Sequence, residues 1–193
     1  MRIPQIIRWV VPPNPYIKLN TDGSAIGNLR LAGAGGILRD SSSGWLSSFS
    51  LNLGIATNNM AELAAVQQGL LLAWDLGFKF LQIELDSSIV LSWLTNRHAL
   101  YLLDMMSLIY DCRSLMELEW DLQAHHIYRE ANRCVDALAK QGAHQQHLLS
   151  DYSTCPSFVY PCFVRDLTGL RTNRPCARRL DNAGVVRNFI LSK

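Results

Sequence analysis

The sequence predicts an α/β fold, a mixed five-stranded sheet covered by helices in the order β-β-β-α-β-α-α-β-α. Three observations carry that prediction. Period-two alternation between turn signals marks three strands in the first third of the chain. At Thr57 the texture changes to a helical stretch rich in Ala and Leu. Beyond it, short apolar runs alternate with helical segments to about residue 144. Of the 193 residues 49% are hydrophobic, enough for a sizeable core and too many for general disorder.

Residues 1–15 end in Pro12-Pro13-Asn14-Pro15 and read as an extended leader to a domain over 16–147. From Tyr16 to Asp22, Ile17 and Leu19 alternate with Lys18, Asn20 and Asp22, giving a strand that ends in a turn at Asp22-Gly23. The run Gly33-Ala34-Gly35-Gly36 leads into a second strand at Ile37 to Asp40. Ser41 to Gly44 is turn chemistry, and Trp45 to Leu53 reads as the third strand. Thr57 caps a helix from about Asn59 to Leu76, with Gly77 as its stop. Phe78 to Leu85 is a short apolar strand, and Asp86-Ser87-Ser88 opens a helix through Leu94. A helix over Met105 to Met116, a strand over Glu119 to Tyr128 and a helix over Ala131 to His144 complete the order. Residues 148–193 read as a C-terminal extension, partly disordered, in which 156–170 pack on the domain and 171–193 form a loose basic tail.

No window approaches the roughly 18 uninterrupted apolar residues of a membrane span, so no membrane partner is expected. Pro4, Gln5 and Arg8 interrupt any signal-peptide core. The five cysteines show no CxxC or Cys/His metal spacing, which points to reduced thiols in an intracellular protein. A monomer is expected, in nucleus or cytoplasm, which the sequence does not distinguish. Charge is unevenly spread. Residues 16–149 hold nine Lys/Arg against thirteen Asp/Glu, whereas 150–193 hold seven bases against three acids. An acidic middle is a poor surface for nucleic acid unless bound cations neutralise it.

Four carboxylates stand at element ends or inside helices: Asp22, Glu62, Asp86 and Asp136. Singly, Asp22-Gly23 is a turn, Asp86 a helix N-cap, and Asp136 a solvated acid between Arg133 and Lys140. Glu62 resists such a reading, because its helix is apolar nearly all round and a carboxylate there must be paired, protonated or ligating.

Together, Lys18 to Ser24 (KLNTDGS), Thr57 to Leu63 (TNNMAEL), Ile83 to Ser87 (IELDS) and Asn132 to Ala139 (NRCVDALA) resemble the four signature blocks of type 1 ribonuclease H, in that family's order. More narrowly, the chain resembles plant ribonuclease H-like domains related to non-LTR retrotransposon reverse transcriptases. The resemblance implies a ribonuclease H-like fold and a metal-dependent endonuclease acting on the RNA strand of RNA–DNA hybrids. It implies catalysis and metal binding by Asp22, Glu62, Asp86 and Asp136, with two Mg²⁺ ions or Mn²⁺ as substitute. The physics agrees, since converging acids need divalent cations and hard oxygen donors suit Mg²⁺ or Mn²⁺. By the same resemblance Gly23, Ser24, Asn58, Asn59, Ser87 and Asn132 are the expected substrate-binding positions. For Gly23 a tight turn, and for Asn58 and Asn59 helix capping, are the structural alternatives.

Two family features are missing from the sequence. No glycine-rich histidine loop lies between the last strand and the last helix, where the chain reads Tyr128-Arg129-Glu130-Ala131. His125 and His126 fall inside the strand pattern, where histidine reads as structural and His126→Ala is expected to change little. No basic handle stands between Trp93 and Met116, where Arg97 and Arg113 are the only Lys/Arg. The alternative function is therefore a weak or inactive nucleic-acid- or protein-binding module derived from a retroelement.

Overall fold

The computed structural model describes residues 5–26, 31–174 and 189–190. The main sheet is built on β2 (Ile17–Ile26), β3 (Leu31–Arg39) and β4 (Trp45–Ile55), an antiparallel meander. After α1 (Asn58–Asp75), β5 (Phe80–Leu85) returns parallel to β2. Next come α2 (Ser88–Thr95), a 3₁₀ turn at Leu103–Met105 and α3 (Met106–Met116). Then β6 (Asp121–His126) adds parallel to β5, and a 3₁₀ turn at Arg129–Ala131 leads into α4 (Arg133–His144). The α/β order read from the sequence is present, with two edge strands more than the five expected. They are β7 (Leu149–Tyr152) on β4 and a two-residue strand, Phe189–Ile190, on β6. The short segment over 149–152 carries no apolar run, so its strand state comes from pairing with the edge of β4.

The leader also pairs. Strand β1 (Gln5–Ile7) runs antiparallel to β8 (Thr172–Arg174), forming a separate two-stranded sheet with the segment after α5 (Tyr160–Leu167). Of the tail expected over 171–193, residues 175–188 and 191–193 lie outside the described residues.

Two glycine readings change. Strand β2 runs straight through Asp22-Gly23, so no turn ends there. Gly23 is flush against α1: a Cβ on it would sit 2.2 Å from the Glu62 amide nitrogen. Likewise Gly33 and Gly35 lie inside β3 and admit α4, where added Cβ atoms would fall 2.1 Å from the Ala143 nitrogen and 2.5 Å from that of Ala139. Gly23 therefore draws α1 onto β2, which carries Asp22, and Gly33 and Gly35 draw α4 onto the neighbouring β3.

One face of the sheet packs α1, α2 and α3 through Leu19, Leu38, Leu63, Leu70, Ile83 and Ile109. The α4 face has a smaller apolar core, Ile37, Val135, Leu138 and Val159. Beside it lies a buried polar network. Arg39 pairs with Asp166 at 2.8 Å, Lys18 with Glu84 at 2.6 Å, and Asn20 bonds Arg39, Glu84 and the Trp9 indole. Arg39 also stacks 3.6 Å over the Trp9 ring, so leader, sheet and α5 are tied through one cluster.

Candidate active site

Asp22 lies on β2 beside the C-terminal end of β5, where Thr21 pairs with Leu85 and Asp86 follows at once. Glu62 reaches the same point from the first turns of α1, held close by the absent Cβ of Gly23. One carboxylate oxygen from each of Asp22, Glu62 and Asp86 lies within 4.8 Å of the others. Asp22 and Glu62 are buried, at 3% and 4% exposure, and Asp22 Oδ2 and Glu62 Oε2 have no hydrogen-bond partner. Burial, reinforced by the Asp86 and Asp136 charges, pushes Asp22 up to about 8. Burial and the charges of Asp22 and Asp86 push Glu62 up to about 9. Burial raises Asp86 as well, against the pull of Arg129 and His126. Three crowded acids, two of them with an orphaned oxygen, offer hard oxygen donors that fit a divalent cation of the Mg²⁺ class.

Asp86 is not the N-cap of α2. That position is Ser87, whose Oγ accepts the Val90 amide at 3.3 Å, leaving the Asp86 carboxylate available.

Asp136 is the exception among the four. Arg129 donates to its Oδ1 at 3.0 Å and Lys140 to its Oδ2 at 2.6 Å. Although burial opposes it, these two bonds hold Asp136 below the usual carboxylate range. Three of the four acids are thus gathered, and the fourth stands near enough to press on Asp22 while both its oxygens are engaged by bases. The sequence spacing pairs Lys140 with Asp136; Arg129, seven residues back, arrives only because the 3₁₀ turn folds it over α4.

The other expected positions divide. Thr57 caps α1 by accepting the Met60 amide, so Asn58, exposed, and Asn59, half-buried, are free of capping duty. Ser24 is buried on β2 beyond Asp22. The Ser87 hydroxyl is engaged as a cap. Asn132 is buried at 1% exposure; its side-chain amide donates to the Thr21 carbonyl at 2.9 Å and fixes the start of α4 beside Asp22.

One residue that sequence reading discounted gains weight. Strand β6 ends at His126 rather than running to Tyr128, so His126 is exposed, with Nε2 3.0 Å from the Asp86 carbonyl oxygen. His125, one residue earlier, is half-buried, and burial lowers its pKa. In place of a basic handle, the segment between α2 and α3 exposes Leu100, Leu102 and Leu103.

Comparison with known proteins agrees with this architecture. A family model described as reverse transcriptase-like matches residues 20–142. An Arabidopsis thaliana protein named "Putative ribonuclease H protein At1g65750" is 37% identical over 142 residues, 72% of this chain. The match spans 22% of that protein's length. RNase H1 from the archaeon Halobacterium salinarum superposes with a TM-score of 0.61 at 29% identity, over 66% of this chain and 96% of that one. LC11-RNase H1, solved in complex with RNA/DNA hybrid, gives 0.60 at 25% identity over 66% and 96%. Through the matched family and the shared sheet with its acid-bearing strands, the chain belongs to the reverse transcriptase-like family and has the type 1 ribonuclease H fold.

Proposed function

We propose that the chain is a metal-dependent endonuclease hydrolysing the RNA strand of RNA–DNA hybrids, with Asp22, Glu62, Asp86 and Asp136 as ligands for two Mg²⁺ ions, Mn²⁺ substituting. The observation that carries this reading is the meeting of two buried carboxylates with orphaned oxygens and a third at the end of β5. Similarity to a ribonuclease H1 solved with RNA/DNA hybrid supports the substrate class. Bound at such a site, a pair of divalent cations supplies water activation and stabilises the leaving 3′ oxygen.

The chain's own residues then have separate tasks. Asp22 and Glu62 hold the charge at a rigid junction of strand and helix, and Asp86 faces the same point because Ser87 does the capping. His126, exposed beside the Asp86 backbone, carries a proton to or from the reacting oxygens. Asn58 and Asn59, at the exposed start of α1, contact the minor groove of the hybrid, where the RNA 2′-hydroxyls are displayed.

The test is cleavage of a labelled RNA–DNA hybrid in Mg²⁺ and then Mn²⁺, with RNA–RNA and DNA–DNA controls and Asp22→Asn alongside. Wild type alone should cut the RNA strand of the hybrid. His126→Ala should slow the reaction by about 100-fold, the lower end of a general acid–base contribution. Cleavage by Asp22→Asn at the wild-type rate would refute the site assignment. A second reading, a non-catalytic binding module, is favoured by the ion pairs that occupy Asp136. Hybrid binding without cleavage in either metal would establish it.

A further inference from the structure

Arg129, Arg133 and Lys140 of the α4 region and Arg174 of β8 line one groove of about 600 Å³ that opens on Asp136. The sequence scatters these bases across 46 positions and assigns the last to a basic tail. The fold brings them together, because β8 pairs with the leader strand and is thereby held on the domain. Elsewhere on this acidic domain the bases are largely committed. Lys18 and Arg39 are buried in ion pairs, Arg97 pairs with Glu117, and Arg113 donates to the carbonyls of Trp93 and Asn96.

We infer that this groove is a track for the backbone phosphates of the nucleic-acid strand that enters the acidic cluster, built jointly by α4 and the C-terminal extension. It rests on the hybrid-cleaving reading above. Arg133 and Lys140 are seven residues apart on one face of α4, about 10 Å along the helix. At 3.4 Å of rise per nucleotide that spans about three phosphates. Arg133 forms no ion pair among the described residues. Arg174 is pre-positioned, stacked 4.4 Å over the Tyr128 ring and bonded to Glu130 at 3.1 Å. The two carboxylates that border the groove are both already engaged, Glu130 by Arg174 and Asp136 by Arg129 and Lys140. Four bases against two carboxylates leave the groove net positive, with Arg133 unengaged among the described residues, beside the acids that act on the polyanion. It also supplies phosphate contacts where the segment between α2 and α3 offers exposed leucines.

The experiment is anisotropy binding of a fluorescent RNA–DNA hybrid across a salt series with Ca²⁺ in place of Mg²⁺, so that an oxygen-liganded cation neutralises the acids, and a gel verifies that the hybrid stays uncut. Wild type is compared with Arg133→Gln, Arg174→Gln, Arg174→Lys and Glu130→Gln, all with thermal melting to verify folding. Arg129 and Lys140 are left alone because they hold Asp136. Each Gln variant of a base should weaken binding by about fivefold and reduce the salt slope by about one. Arg174→Lys should keep the slope, and Glu130→Gln should tighten binding. Unchanged affinity and slope in folded Arg133→Gln and Arg174→Gln overturn the groove while leaving the hybrid reading intact. Absence of wild-type binding overturns the hybrid reading and the groove with it.

Discussion

Lys18, Asn20 and Asp22 share one face of β2, yet the two ends of that short row are built on opposite principles. At the Lys18 and Asn20 end every buried charge has a partner: Lys18 with Glu84, Arg39 with Asp166, and Asn20 bridging them. At the Asp22 end, two residues on, buried acids face one another and two of their oxygens are unbonded. The same strand geometry serves both, so backbone position does not explain the difference. Charge complementarity does. The balanced end ties leader and α5 to the sheet, and the unbalanced end can hold its full charge only beside an added cation, taking up protons without one.

The sharpest break of this contrast is Asp22→Asn or Glu62→Gln. Metal-dependent cleavage should fall by more than about 100-fold, beyond the usual cost of losing an outer-shell partner. Without metal the same variants should melt higher than wild type near pH 7, because each native carboxyl must take up a proton on folding and an amide need not. Equal or lower melting temperatures would show that folding does not raise these acids.

Breaking the balanced end should have the reverse effect. Arg39→Met leaves Asp166 buried without its cation and should cost about 3–5 kcal/mol in urea denaturation. A loss near zero would mean the network is replaceable.

pH separates the two ends more gently. As pH rises through the ordinary carboxylate range, the unfolded chain releases protons that native Asp22 and Glu62 retain. Metal-free stability should therefore fall with rising pH until these groups ionise near about 8 and about 9. Excess Mg²⁺ should remove much of that fall, which thermal melts from pH 4 to 9 would reveal. A flat profile in EDTA would contradict the raised values.

The smallest effect concerns Asp136, which joins the acids only at the boundary of the two styles. Lys140→Gln frees its Oδ2 and should tighten Mn²⁺ binding, measured calorimetrically, by about threefold, the scale of a partly exposed ion pair. Weaker Mn²⁺ binding would assign Lys140 a supporting role instead.

The sequence alone determined the element order and the acids. Alternation, the Thr57 cap and the Gly77 stop are local signals; the observed α1 is shifted by one residue at each end, and β5 starts two residues late and ends at Leu85 as expected. Motif blocks named Asp22, Glu62 and Asp86 because each chemistry-bearing residue sits at a fixed offset within its own element. What it misread depended on neighbours distant in the chain. Gly23 read as a turn because a glycine's local permissiveness is visible, whereas the approach of α1 against it is not. His126 read as interior because strand ends are set by pairing with β5. Tertiary structure decided the edge strands, the partners of Asp136 and the groove that Arg174 completes. Each needs groups far apart in the chain to meet, and pair energies between charges depend on distance and burial that only folding sets.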